Sequence, residues 1–145
     1  MVKLALAGVG LMGRQHLSAI ARSDGVELAA LVDPRPKIQE IAQQLNVPQY
    51  DSLPAMFDES RPDGVIIATP NALHVEHGMI CVDHRCAMLI EKPIATIADD
   101  ANDLVSAAEA AAVPILVGHH RRHNPLTMQA KAMVAIGFSI SIAQR

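Results

Sequence analysis

The sequence has no tryptophan, and its only aromatic residues of the Phe and Tyr type are Tyr50, Phe57 and Phe138. Bases therefore find no stacking platform, and with 12 Lys and Arg against 15 Asp and Glu there is no basic groove either, so nucleic-acid binding is excluded as an expectation. No apolar run approaches the ~20 residues of a membrane-spanning helix. Nor is there a basic segment followed by a long apolar stretch and a small-residue cleavage site ahead of the first strand pattern, so the expected location is the cytoplasm. Cysteine is scarce as well. Cys81 and Cys86 stand in a C-x4-C spacing that matches neither the redox C-x-x-C pattern nor a zinc pair, so they read as small buried apolar residues and no metal is expected.

What the chain does have is a core. Half of its 145 residues are hydrophobic and 19% are charged, the composition of a folded domain that buries roughly two-thirds of its unfolded surface. Short apolar runs near residues 2–7, 27–32, 47–50, 64–68, 87–90 and 115–117 read as strands buried on both faces. Helical spacing separates them: Met12, Leu17, Ile20 and Ala21; Ile38, Ile41, Ala42 and Leu45; a helix opening at Leu53-Pro54; a helix carrying Leu73, His77 and Ile80, with Asn71 as its expected cap; and one over Asp99 to Ala111 with Leu104, Val105 and Ala108 inward. A further helical segment reaches about Ile136. This alternation predicts an α/β fold, a doubly wound parallel sheet of the Rossmann type with six strands in the order 3-2-1-4-5-6. The ligand crevice then lies between the carboxyl ends of the first and fourth strands.

The first strand runs into Gly8-Val9-Gly10-Leu11-Met12-Gly13. Gly8 suits a sharp turn off a buried strand, Gly10 leaves room for a pyrophosphate, and Gly13 lets a helix sit close to the sheet. The unpaired first-turn N–H groups at Leu11 and Met12 and the positive end of the helix dipole then face the phosphates. Alone, G-x-G-x-x-G is a weak signal, but here a strand precedes it, a helix follows, and Asp33 closes the second strand about 20 residues on. Asp33 is placed to accept hydrogen bonds from an adenosine ribose, which favours NAD; the plainer reading is a cap of the following turn. Arg35 nearby can accommodate a 2′-phosphate, which keeps NADP open.

Other strand ends also carry polar groups: Thr69 with Asn71 and His74, Glu91 with Lys92, and His119 to Asn124. A lysine closing a buried strand beside a cofactor can stabilise an alkoxide or move a proton. The plainer reading of Lys92 is an exposed side chain paired with Glu91. Adjacent residues of the His119, His120, Arg121, Arg122, His123 run point in opposite directions on an extended segment, and no carboxylate or cysteine stands at ligand spacing, which argues against a metal there.

Gly8 to Gly13, Ala68-Thr69-Pro70-Asn71-Ala72-Leu73-His74, Glu91-Lys92-Pro93 and Gly118 to Pro125 together resemble the amino-terminal half of a Gfo/Idh/MocA-family oxidoreductase. The resemblance covers about residues 2 to 135 and implies a nicotinamide dinucleotide and hydride transfer to or from a ring carbon of a small-molecule sugar, polyol or inositol-like substrate. It implies that Lys92 is the catalytic residue beside the nicotinamide and the reacting oxygen. By the same resemblance Glu91 contacts the nicotinamide side, Thr69, Asn71 and His74 line the middle of the cofactor, and Arg122 or His120 meets substrate at the mouth of the site. A cis Lys92-Pro93 peptide would suit that role.

Members of the family continue into a second, open-sheet α/β domain that carries substrate contacts and an Asp…His element. The expectation is therefore a dinucleotide-binding domain over 1–136 and a remnant or start of a missing second domain over 137–145, where Phe138 to Ile142 alternates like a strand. Without that domain the alternative is a catalytically silent NAD-binding module or a dinucleotide-sensing regulator. An uncovered apolar face would further favour a homo-oligomer.

Overall fold

A computed structural model describes residues 1–132, with Arg121 described by its backbone alone. Six parallel strands, β1 (Val2–Ala7), β2 (Val26–Val32), β3 (Gln49–Tyr50), β4 (Gly64–Ile67), β5 (Ala87–Ile90) and β6 (Ile115–Val117), form one sheet in the order β3-β2-β1-β4-β5-β6. The expected order and the expected crossing point between β1 and β4 are both found. The helices are α1 (Leu11–Ile20), α2 (Ile38–Gln44), α3 (Leu53–Glu59), α4 (His74–Asp83) and α5 (Ala98–Ala110).

The continuous apolar strands divide their side chains between two cores, because successive residues of a strand point to opposite faces. On one face Ala5, Ala7, Val65, Ile67, Met88 and Ile90 pack under α3, α4 and α5, with Phe57, Leu104 and Ala108 closing the layer. On the other, Leu6, Leu31 and Ile66 meet Ile20, Ile38 and Ala42 from α1 and α2. Both faces are thus covered, as a parallel sheet requires.

Three local expectations are corrected. Asn71 does not cap α4: it opens a 3-10 turn over Asn71–Leu73, and α4 begins only at His74 without a side-chain cap. Leu73 is exposed in that turn, the buried residues of α4 are His74, Gly78, Cys81 and Val82, and Ile80 packs partly buried against the core as expected. Leu45 and Ala21 are the C-caps of α2 and α1, one position beyond the last helical turn, and both are exposed rather than inward. The helix that opens at residue 125 is described as far as 132; its extension to Ile136 and the strand expected over Phe138 to Ile142 lie outside the described residues. Among the described residues no helix is long and apolar enough to cross a membrane, and no group of histidine, cysteine and carboxylate side chains is arranged to hold a metal.

Both cysteines are buried free thiols, as expected. Burial first, and then the neighbouring Cys86, pushes the Cys81 thiol up to about 12.

Candidate functional site

Because all six strands run parallel, every loop leaving a strand's carboxyl end emerges on one rim. The glycine turn after β1 is the tightest of these. Gly8 has φ +88°, a conformation that disfavours any side chain, and a Cβ there would stand 2.5 Å from the Ala68 carbonyl oxygen at the end of β4. A Cβ on Gly13 would fall 2.0 Å from the Gly8 carbonyl oxygen, so helix and turn are in direct backbone contact. At Gly10, in contrast, a Cβ would meet nothing within 4 Å. Gly10 is the N-cap of α1, has no side-chain cap, and no acidic residue occupies the first turn. No side-chain cap or first-turn carboxylate therefore competes for the N–H groups at this helix end, which is the arrangement an anion uses.

Beside the turn lies a cavity of about 570 Å³ between β1, β2 and β4, lined among others by Gly8, Gly10, Asp33, Arg35, Thr69 and His77. Asp33 is 4% exposed at the end of β2 and accepts a hydrogen bond from the Val9 backbone N–H at 2.8 Å. Burial pushes its carboxyl up, but the Arg35 guanidinium, the backbone N–H groups of Val9 and Arg35 and the Arg35 charge outweigh it and hold the carboxyl below its ordinary value. The Gln49 side-chain amide donates to the Asp33 carbonyl oxygen at 2.7 Å and so braces the same loop from β3.

Thr69 follows β4 and reaches His77 on α4, with 3.1 Å between its hydroxyl and Nδ1. Burial lowers the His77 pKa; Glu76 opposes this and His74 adds to it. The chain after Thr69 separates the remaining residues of the motif. Asn71 is exposed in the 3-10 turn, Pro70 and Leu73 line the cavity, and His74 lies fully buried beneath it. The His74 ring bridges two segments, with Nε2 2.9 Å from the Thr69 carbonyl oxygen and Nδ1 2.7 Å from that of Pro93.

The end of β5 is built by alternation. Ile90 points into the α3-α4-α5 core, so Glu91 points to the opposite face, where α1 lies. There its Oε1 meets His16 Nε2 at 2.9 Å, and its Oε2 accepts from the Lys92 backbone N–H at 3.3 Å. Gly118, just past β6, leaves the space: a Cβ there would approach the Glu91 carboxylate to 2.8 Å. The carboxylate is thereby committed to His16, and Lys92, which is exposed, forms no salt bridge among the described residues. The Lys92-Pro93 peptide is cis, in agreement with the sequence reading.

His120 opens a 3-10 turn over His120–His123, while Arg122 lines a separate depression beside β6 together with His119 and His123. His16, His77 and the Asp51-Ser52-Leu53 segment, which also lines the cavity, are the residues that the sequence analysis did not place at the site. Nothing local marks them. His16 could have been flagged only by its position one turn past the last glycine on the helix face that meets the sheet.

A parallel sheet in this order, a glycine turn with an open helix end, and an acidic residue closing β2 together define a dinucleotide-binding domain of the Rossmann type. The comparisons then give the family. The profile described as "Oxidoreductase family, NAD-binding Rossmann fold" matches residues 2–119, and the chain belongs to the Gfo/Idh/MocA family as its NAD-binding domain. The rhizopine catabolism protein MocA of Rhizobium meliloti is 31% identical over 135 residues, which are 93% of this chain and 43% of that protein. Inositol 2-dehydrogenase of Mycolicibacterium smegmatis is 34% identical over 143 residues, 94% of this chain and 41% of that protein. Among solved structures, the WlbA dehydrogenase of Bordetella pertussis in complex with NADH and UDP-GlcNAcA superposes with a TM-score of 0.87 at 27% identity, covering 94% of this chain and 40% of that one. The chain thus spans about two-fifths of the length of these relatives.

Proposed function

We propose that this chain is the cofactor-binding part of an NAD-dependent oxidoreductase that moves a hydride between nicotinamide and a sugar, polyol or inositol-like molecule, with Lys92 as its catalytic residue. The observation that carries the reading is the separation of roles at the end of β5. Glu91 is held by His16, so the adjacent Lys92 ammonium is not neutralised by it and stands on the rim shared with the glycine turn. The family assignment and the inositol dehydrogenase relative support the substrate class.

Bound NAD would supply a hydride acceptor at its nicotinamide ring. The chain's own residues do the rest. Gly8, Gly10 and Gly13 with the N–H groups of Leu11 and Met12 hold the pyrophosphate, and Asp33 with Arg35 receives the adenosine end. The cavity of about 570 Å³ beside Asp33 suits an adenosine, with His77 and Thr69 at its wall. Lys92 donates a hydrogen bond to the reacting substrate oxygen and stabilises negative charge that develops there, the contribution expected of a fixed cation in an active site. His120 and Arg122 belong to the substrate side of this reading.

Titration of NADH by its fluorescence tests the cofactor part, and absence of binding up to about 1 mM overturns it. Sugars and polyols are then screened with NAD as the hydride acceptor. Lys92→Ala is expected to abolish turnover while leaving NADH affinity within about threefold. Turnover that survives this substitution removes Lys92 from the mechanism, and NADH binding without turnover on any polyol favours the silent module.

A further inference from the structure

His74 is fully buried, so it acts only through what it holds. It holds two backbone carbonyls. Nδ1 lies 2.7 Å from the Pro93 carbonyl oxygen, in the segment after β5, and Nε2 lies 2.9 Å from that of Thr69, in the segment after β4. A carbonyl oxygen only accepts, so each contact needs an N–H on the ring, and a neutral imidazole has a single one. Both contacts are made only by a ring that carries both protons, and both lengths are those of charge-assisted bonds. The ionisable neighbours on α4 are Glu76 and His77, and burial lowers the pKa of His77, which leaves His74 as the charged ring of the two. On the β5 side Glu91 turns away to His16, and Lys92 is exposed.

Residues 92–96 have no helix or strand. Apart from the Lys92 N–H, which bonds to the neighbouring Glu91 side chain, the bond at Pro93 is the only hydrogen bond that ties them to the rest of the fold among the described residues. Thr69, in contrast, is held twice from α4, because its hydroxyl also meets His77. We infer that His74 is the positioning residue of Lys92: with an N–H on each ring nitrogen it clamps the segment after β5 to the cavity wall at Thr69, and so fixes where the lysine stands.

The clamp bears on catalysis through the role proposed for Lys92, and the test separates the two. In His74→Asn the amide nitrogen stands where Nδ1 stood and keeps the Pro93 bond; in His74→Gln it stands where Nε2 stood and keeps the Thr69 bond. Both replace a buried ring by a smaller amide, so damage to the core weakens both alike. Amide hydrogen exchange in the folded protein reads the difference: at Lys92 it is expected to be about tenfold faster in His74→Gln and to stay within about threefold of the unaltered protein in His74→Asn. Equal rates in the two variants overturn the inference. With a polyol that is turned over, kcat falls about tenfold in His74→Gln at unchanged NADH affinity, and His74→Asn restores it. A kcat that stays level in His74→Gln although exchange has risen overturns it too. If neither variant folds, the proton–nitrogen correlation spectrum of the unaltered protein decides at the pH of the NADH titration: two protonated ring nitrogens at His74 are expected, and a single one overturns the clamp. If the unaltered protein turns over no polyol, it is the oxidoreductase reading that fails, while the exchange rates and the spectrum still decide the clamp.

Discussion

His16 on α1 and Glu91 at the end of β5 are 75 residues apart in sequence and 2.9 Å apart in space. Their bond ties the helix that begins at the glycine turn to the strand that ends at Lys92, so the phosphate end and the proposed catalytic end of the site share one support. Gly118 completes it from β6 by leaving room for the carboxylate. His16→Ala leaves a nearly buried carboxylate with one partner fewer, and a loss of about 1–3 kcal/mol is expected in urea denaturation. Glu91→Gln keeps the shape and one donor-acceptor contact and is expected to lose less than Glu91→Ala. Equal losses would mean that the contact Gln keeps contributes nothing and that the carboxylate charge carries the whole effect.

Gly13 and Gly10 should respond differently to the same methyl group. In Gly13→Ala the added carbon meets the Gly8 carbonyl 2.0 Å away, so backbone must move, and a destabilisation of at least about 2 kcal/mol with loss of NADH binding is expected. Gly10→Ala meets nothing within 4 Å, so its thermal stability changes by about 1 kcal/mol or less while its NADH affinity falls. A stability loss at Gly10 as large as at Gly13 contradicts the assignment of open space to a ligand.

Acid stability is expected to depend on Asp33. Its carboxyl lies below the ordinary value in the folded chain, so it contributes stability above the unfolded carboxylate range near ~3.9, and that contribution is lost as pH falls through the folded value. Arg35→Ala removes the side-chain bond and the charge but leaves the burial, so the folded value moves back up and the acid-side loss becomes smaller. Melting temperatures followed from pH 6 downward in steps of about half a unit compare the size of the two drops. Coincident profiles rule out the Arg35 bond as the cause.

Burial holds the Cys81 thiol at about 12 and, with Asp63 adding to it, the Cys86 thiol at about 11. Little thiolate exists at pH 8, and neither sulfur is accessible, so a thiol reagent should leave both unmodified in the native protein and react with both once it is unfolded. Both folded values are raised, so the associated stability is present below the unfolded thiol range and is lost as pH rises through the folded values. Rapid native labelling of either cysteine contradicts this.

The sheet was legible because its signals are local. Continuous apolar runs such as Leu4 to Ala7 and Gly64 to Ile67 need helices on both faces, and the alternation with amphipathic segments leaves little choice of topology. Helix phase was less legible at α4. The 3-10 turn at Asn71–Leu73 takes three residues out of the expected helix, which puts Leu73 on the cavity wall rather than on the inner stripe, while Ile80 still packs on the core.

The glycine turn, Asp33 and Arg35 are candidates that the sequence offers because each stands at or just past a strand end in a short pattern, and Lys92 is one that the family resemblance adds at the end of the fifth strand. Tertiary structure alone decided which partners they have. It gave Glu91 to His16 rather than to Lys92, buried His74 between the carbonyls of Thr69 and Pro93, brought His77 to Thr69, and closed Arg35 over Asp33. The physical reason is the same throughout: backbone pattern depends on neighbours along the chain, whereas the partner of a polar side chain depends on which distant element packs against it, and that is settled only when the two cores close.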